Sequence, residues 1–435
     1  MKATSIITAF LLAAAPLMAA PAVTLEAKPQ RAKFLPTETS CVLQIDVVGK
    51  TETTKRTAPI NLSVVLDRSG SMSGEKLHQA KEAAIVAFDQ LSGSDMFSLV
   101  IYDQDVEVLI PPVRVRNAED IHSAIRSIQS RGSTALYDGV RTGAEQLERY
   151  FAEENINRVL LLSDGIANIG PSSPKELAQL GSRLARSGIS VSTIGLGLGY
   201  NEDLMTALAE SAAGNYYYVR DPEELPEVFA RELGEIKTLV ARGVQLIIDL
   251  PDSIRRARLL GEEYEFENGR LVIELDDFFG GRTRRFLIEC DLPETAAAQL
   301  ELGRAELVYQ DAATGKTAQT TAHPVIRKSD DEEAVRKSED LAVTANLAIV
   351  DNRLSKEKAV KLAEEGKPDA AAKVLRSQRE RNALLPEPVA TKAKIAREQD
   401  TLEETARELE QTQELGVASG KRLKYENYQD KYQKR

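Results

Sequence analysis

The apolar run Val64-Val65-Leu66 ends on Asp67, and Ser69 and Ser71 follow at alternate positions around Gly70. A short apolar run closed by a charge reads as a buried strand. Its three oxygen-bearing side chains then come off the carboxyl end, where open parallel sheets keep their ligand sites. Gly70 lets the backbone turn tightly enough for both hydroxyls to face one point. Oxygen donors alone suit Mg²⁺, Mn²⁺ or Ca²⁺ and argue against zinc. The same string also fits a plain helix start, with Asp67 or Ser69 capping the helix that begins near Glu75. Two later stretches shift the balance toward a shared site. Arg131-Gly132-Ser133-Thr134-Ala135-Leu136-Tyr137-Asp138-Gly139 presents a hydroxyl, Thr134, in a glycine turn. Val159-Leu160-Leu161-Leu162-Ser163-Asp164-Gly165 is a second apolar run that ends on a carboxylate, Asp164.

Around these motifs the chain alternates strand and helix. Strands are expected at Leu62 to Leu66, Met96 to Tyr102, Val159 to Leu162, Ser190 to Ile194 and Tyr216 to Val219. Helices are expected at Lys76 to Leu91, Ala118 to Ile128, Tyr137 to Phe151, Pro174 to Ser187, Glu202 to Ala212 and Glu223 to Leu233. Val106 to Ile110 follows too closely for a crossover helix and reads as an antiparallel edge strand. Alternation of this kind gives an α/β unit, a doubly wound and mostly parallel sheet covered by helices on both faces. It puts Asp67 and Asp164 at one edge of that sheet.

With the three motifs in this order, the stretch from about Ala58 to Gly234 resembles a von Willebrand factor type A domain with its metal-ion-dependent adhesion site. The resemblance implies a Rossmann-like fold and one divalent ion, Mg²⁺ first with Mn²⁺ or Ca²⁺ as alternatives, surrounded by Asp67, Ser69, Ser71, Thr134 and Asp164. It implies that the two serines and the threonine approach the ion while the aspartates act largely through water. It also implies that an Asp or Glu of a partner protein completes the coordination.

From about Thr238 the periodicity changes to two. Val244 to Leu250, Leu271 to Leu275, Arg285 to Leu292, Leu302 to Tyr309 and Thr317 to Val325 read as strands of an antiparallel β-sandwich. Two more strand-like runs, Val23 to Ala27 and Cys41 to Val48, precede the α/β unit and are too few to form a sheet alone. The α/β domain is therefore expected to be inserted in a sandwich built from both flanks. Beyond Ser329 the composition turns to Ala, Glu, Lys, Arg and Leu, with helices expected at Glu332 to Glu364, Asp369 to Leu384 and Val389 to Leu415. The turn around Gly366-Lys367-Pro368 is locally similar to a tetratricopeptide hairpin, but one repeat cannot stack on itself, and a helical hairpin or coiled coil fits better. The basic tail Lys421 to Arg435, with Tyr425, Tyr428 and Tyr432, reads as a solvated end or a docking segment. The expected divisions are 1–22 for a leader, 23–57 and 237–328 for the sandwich, 58–236 for the α/β domain and 329–435 for the helical region and tail.

Met1-Lys2 followed by an apolar run from Ile6 to Ala20 has the form of a secretory signal, with Ala20-Pro21-Ala22 placing the cut before Val23. No later segment is apolar enough to span a bilayer, so a periplasmic or secreted, soluble protein is expected. The net charge of −11 argues against a nucleic-acid partner. Export gives the two cysteines weight. Alternation puts Cys41 on the face of Leu43, Ile45 and Val47, and Cys290 on that of Phe286 and Ile288, so both thiols point into a core. A disulfide between them would close a long loop and stabilise by roughly 5 kcal/mol; two separate buried thiols fit the sequence equally well.

Among function classes, a metal-dependent protein-interaction module is favoured over a structural scaffold with a purely structural ion. A Mg²⁺-dependent hydrolase with Asp67 as nucleophile needs a second carboxylate in the turn and a base to grip phosphate, whereas Asp67 is followed by Arg68 and serines. His78, His122 and His323 lie far apart, and there is no nucleophile elbow or phosphate loop. The expectation is a binding protein and not an enzyme.

Overall fold

The structure is a computed structural model that describes residues 21–51, 58–294, 297–385 and 392–432, with side chains omitted at 392 and 393. The expected leader over its first twenty residues and the break at Pro386-Glu387-Pro388 lie outside the described residues. Three strands come first: β1 (Val23–Pro29), β2 (Lys33–Phe34) and β3 (Ser40–Gly49). The α/β unit follows as β4 (Ile60–Asp67), α1 (Glu75–Asp89), β5 (Met96–Tyr102), β6 (Val106–Arg114), α2 (Ala118–Arg126) and α3 (Leu136–Glu148). It continues with β7 (Ile156–Ser163), α4 (Pro174–Arg186), β8 (Ile189–Leu196), α5 (Glu202–Ser211), β9 (Tyr216–Val219) and α6 (Leu225–Ile236).

The sheet runs in the order β6-β5-β4-β7-β8-β9, with every pair parallel except β5–β6. All eight residues of β4 and of β7 are buried, as strands covered on both faces must be. Alternate residues of β4 serve two cores. Ile60, Leu62, Val64 and Leu66 pack against α1 and α6, while Val65 packs on the side of α3, α4 and α5. Two glycines bring α3 close to the sheet: a Cβ on Gly143 would stand 2.4 Å from Val65, and one on Gly139 would stand 2.9 Å from the Tyr102 ring. The connections diverge on either side of β4 and β7, so the crevice at their carboxyl ends is the switch point of the sheet.

Eight further strands follow: β10 (Leu239–Asp249), β11 (Ala257–Leu259), β12 (Arg270–Phe279), β13 (Thr283–Asp291), β14 (Gln299–Glu301), β15 (Arg304–Asp311), β16 (Thr317–Ala322) and β17 (Val325–Lys328). One antiparallel sheet, β1-β3-β13-β11, joins strands from before and after the α/β unit. It shares a core with the antiparallel sheet β12-β10-β15-β16. Leu43, Ile45 and Val47 meet Leu246, Ile248 and Ile273 there, which is the sandwich built from both flanks. Cys41 stands directly opposite Cys290 in the β3–β13 ladder, and both are free thiols. The neighbouring Cys290 thiol and burial hold Cys41 well above the ordinary thiol range, so it is a poor thiolate.

The helical region differs from expectation in two places. The helix expected from Glu332 to Glu364 is two helices, α7 (Glu332–Arg336) and α8 (Leu341–Glu364). The break follows from Asp340, whose carboxylate accepts from Ala342 N and Val343 N as a helix cap while its own N–H donates to Gln30 O of the amino-terminal segment. After α9 (Pro368–Ala383) and α10 (Lys392–Thr412), the tail beyond Lys421, which reads in sequence as a solvated end or a docking segment, is not solvated but part of a docked helix, α11 (Val417–Tyr432). Its Tyr428 hydroxyl accepts from Tyr216 N on β9, 2.9 Å away, and Tyr428 packs edge-on against the Tyr216 ring. Lys356 of α8, fully buried, holds Glu398 of α10 at 2.8 Å and Asp430 of α11 at 3.5 Å. A tail with this many buried partners has no reason to stay in solvent.

Candidate functional site

Aspartates follow or close three adjacent strands of the α/β sheet at their carboxyl ends: Asp67 on β4, Asp103 after β5 and Asp164 after β7. All three are buried, but they face different work. Asp103 is a clamp. Its Oδ2 accepts from Arg68 Nε at 2.8 Å and from Arg131 Nε at 2.7 Å, tying the loop after β4 to the loop before α3. Backbone bonds from Gly70 N to Gly132 O and from Arg131 N to Arg68 O complete the same join.

The five residues singled out in the sequence come together in the crevice that this clamp braces. Asp67 accepts from Ser69 N at 2.8 Å through Oδ1 and from Ser163 Oγ at 2.7 Å through Oδ2. Ser69 Oγ and Ser71 Oγ are 3.1 Å apart, and Ser71 Oγ donates to Asp164 Oδ1 at 2.6 Å. Thr134 enters from the other loop. A Cβ placed on Gly165 would lie 3.1 Å from Thr134 Oγ1 and 3.5 Å from Ser71 Oγ, so both hydroxyls crowd the glycine beside Asp164. Asn168 fixes that loop by accepting from Thr134 N at 2.9 Å. The floor of the site, Asp67, Ser69, Thr134 and Asp164, is buried, while Ser71, Gly132 and Ser133 open onto solvent.

Two carboxylates in so dry a place are unbalanced. Burial pushes the Asp67 carboxyl up to about 6, against the Ser69 and Ser163 donors that hold it down, and Asp164 adds repulsion. A cation stands beside them: Lys76, from the first turn of α1, pairs with Asp164 Oδ2. The residues therefore fit a divalent cation by donor chemistry, with hard oxygens from three hydroxyls and two carboxylates around a surplus of negative charge. Among the described residues no group of three His, Cys, Asp or Glu is placed to share an ion, so any metal here depends on the hydroxyls.

Sequence reasoning missed four contributors. Ser163 precedes Asp164 and would have followed from asking which donor satisfies a buried aspartate. Lys76 lies in the same string as the serines and signals a charge partner. Asp103 repeats the pattern of an apolar strand leading into a carboxylate. Asn168 carries no signal short of the folded loop. Arg68 is buried and turned away from the site, toward Asp103 and toward Glu107 at 3.1 Å.

A family model described as the von Willebrand factor type A domain matches residues 61–231. An uncharacterized protein of Synechocystis is 26% identical over 285 residues, which are 63% of this chain and 67% of that one. An uncharacterized protein of Escherichia coli is 29% identical over 229 residues, 52% of this chain and 40% of its own length, so the chain spans well under half of that relative. A solved structure named as von Willebrand factor type A from Catenulispora acidiphila superposes with a TM-score of 0.70, covering 95% of this chain and 97% of that chain at 15% identity. That likeness is one of fold, and it extends over the flanking regions as well as the α/β unit.

Proposed function

Residues 61–231 are a von Willebrand factor type A domain, and from that premise we propose that the protein is an exported, periplasmic or secreted, interaction module that takes an Asp or Glu of a partner protein through a divalent cation. In this reading Ser69, Ser71 and Thr134 hold the ion, Mg²⁺ in the first place, and Asp67 and Asp164 balance its charge. Bound there, the ion supplies a position that an incoming carboxylate can enter. The protein residues do the rest: Asp103 with Arg68 and Arg131 fixes the two loops, and Ser163 and Asn168 orient Asp67 and Thr134.

The observation that carries the reading is the convergence of two buried carboxylates and three hydroxyls at the switch point of the sheet, with Asp67 pushed up to about 6. A structural ion is the second reading, because the same residues staple three loops that hydrogen bonds already join. A hydrolase has less support, since Arg68 is committed to Asp103 and Glu107 and offers nothing to a phosphate. The apolar amino-terminal run supports export, and among the described residues no helix is long and apolar enough to cross a membrane.

The test is a pull-down from a cell-envelope extract of the source with the mature protein in Mg²⁺, in chelator, and as the Asp67→Ala variant. A partner kept only by the wild type in Mg²⁺ is the expected result. A partner kept equally in chelator, or by the variant, would move binding away from this site.

A further inference from the structure

Two large apolar side chains stand exposed beside the candidate site, where a soluble surface would be expected to offer polar groups. Ile166 is 61% exposed and lies two residues after Asp164. Leu198 is 48% exposed on the loop that leaves the neighbouring strand β8. That loop touches the site directly: a Cβ on Gly199 would stand 3.0 Å from Asp164 O, and one on Gly197 would stand 4.0 Å from Lys76 Nζ. The opposite rim is of another kind. Arg131, with its side chain 56% exposed, lies there with Asp105 and Gln104.

The apolar rim is built rather than loose. Tyr200 closes the Leu198 loop and lies on Gly195, where a Cβ would collide with its ring at 2.2 Å. Its hydroxyl is 2.7 Å from the hydroxyl of Tyr216. Lys421 of the tail helix donates to Tyr200 O at 2.6 Å and sits 4.0 Å from the centre of its ring. Gly197 turns the chain just before Leu198 with a φ of +71°, a conformation that favours glycine. The loop that carries Leu198 is therefore held on both sides while Leu198 itself stays exposed.

We propose that Ile166 and Leu198 form an apolar contact that selects the neighbours of the ligand carboxylate, so that the occupant is an extended protein segment with an Asp or Glu next to, or one residue from, a large apolar side chain. The proposal rests on the metal-and-carboxylate reading above and adds its specificity. The two requirements come from different atoms: the carboxylate answers the divalent ion that Ser69, Ser71 and Thr134 would hold, and the apolar residue answers the exposed Ile166 and Leu198 on the β7 and β8 side. A side chain that buries itself against such a rim strengthens binding about tenfold or more, which is the scale of preference expected.

A random linear peptide library selected on the full-length mature protein in Mg²⁺ and in chelator separates the two ideas. The expected result in Mg²⁺ is a set of peptides that share an acidic residue with Leu, Ile, Val or Phe beside it. These should bind the Ile166→Ser, Leu198→Ser double variant about tenfold more weakly, while calorimetry shows the variant's Mg²⁺ affinity and melting temperature unchanged. Acidic peptides without an apolar neighbour, or apolar-flanked ones that bind the variant as well as the wild type, would overturn the rim and leave the metal reading standing. Peptides recovered equally in chelator, or none recovered in Mg²⁺, would overturn the metal reading and the rim with it.

Discussion

The two ends of the α/β sheet each bury carboxylates, and they treat them in opposite ways. Toward the amino-terminal end, Glu232 is fully buried and fully answered. Arg158 Nη1 lies 3.3 Å away, and Ser192, Asn215 and Tyr217 donate to it at 2.6, 2.6 and 2.8 Å. Burial alone would raise its proton affinity, but Arg158 and the three donors outweigh it and hold the carboxyl below its usual range. At the carboxyl end, Asp67 is equally dry; burial, with the neighbouring Asp164, outweighs the Ser69 and Ser163 donors that hold it down, so it rises to about 6. A buried charge that is completely paired is architecture; one left in surplus marks a place built to receive something.

Breaking the paired end should have the largest effect. Glu232→Ala leaves the Arg158 guanidinium buried without its carboxylate, and a loss of about 3–5 kcal/mol is expected in chemical denaturation. A loss under about 1 kcal/mol would mean that the network is not the unit described here.

Next in size is the pH dependence in chelator. Folding raises Asp67 from the model-compound 3.8 to about 6, so the folded protein holds the extra proton between those values. Its stability contribution is complete below about pH 4 and is lost as the pH rises through 6, by about 3 kcal/mol at most. Glu232 runs the other way: its contribution is present above the usual carboxylate pKa and is lost as the pH falls through its lowered value. Urea midpoints across pH 4 to 7 for wild type and Asp67→Asn isolate the first slope. A wild-type curve parallel to the variant's would refute it.

Mg²⁺ in hundredfold excess over its dissociation constant should stabilise the wild type by about 2.7 kcal/mol. Scanning calorimetry should show the rise, and Asp67→Asn should lose it. The smallest effect is expected from Asp67→Asn in chelator at neutral pH. Removing the charge relieves its desolvation, while the amide gives up one acceptor, for a net gain of about 1–2 kcal/mol. Destabilisation there would contradict the idea of surplus charge and place Asp67 with Glu232.

Much of this contrast was legible in one sequence, but unevenly. The β4 string and the β7 string announced their aspartates because an apolar run closed by a charge is a local signal, and Thr134 followed from its glycine turn. The antiparallel β6 followed from its short spacing after β5, whereas the order of the strands across the sheet came only with the fold. Glu232 gave no sign, since a glutamate on a helix reads as solvated until Arg158 and Tyr217 arrive from other strands. Lys356, Lys421 and Tyr428 were hidden for the same reason, their partners being dozens to hundreds of residues away. The break between α7 and α8 depended on Gln30, at the far end of the chain.

The docking of α11 on β9 sets the order in which the molecule can be completed. Tyr216 finds its partner Tyr428 only 212 residues later, and β1 takes its place through contacts such as Val23 N to Tyr309 hydroxyl, 286 residues away. As the chain emerges during synthesis, the β9 edge of the α/β sheet stays bare until α11 is made, open to pairing with any other strand nearby. Completion of this edge thus waits on α11, and a chain lacking Val417–Tyr432 would carry every residue of the candidate site on a sheet whose β9 edge has lost its cover.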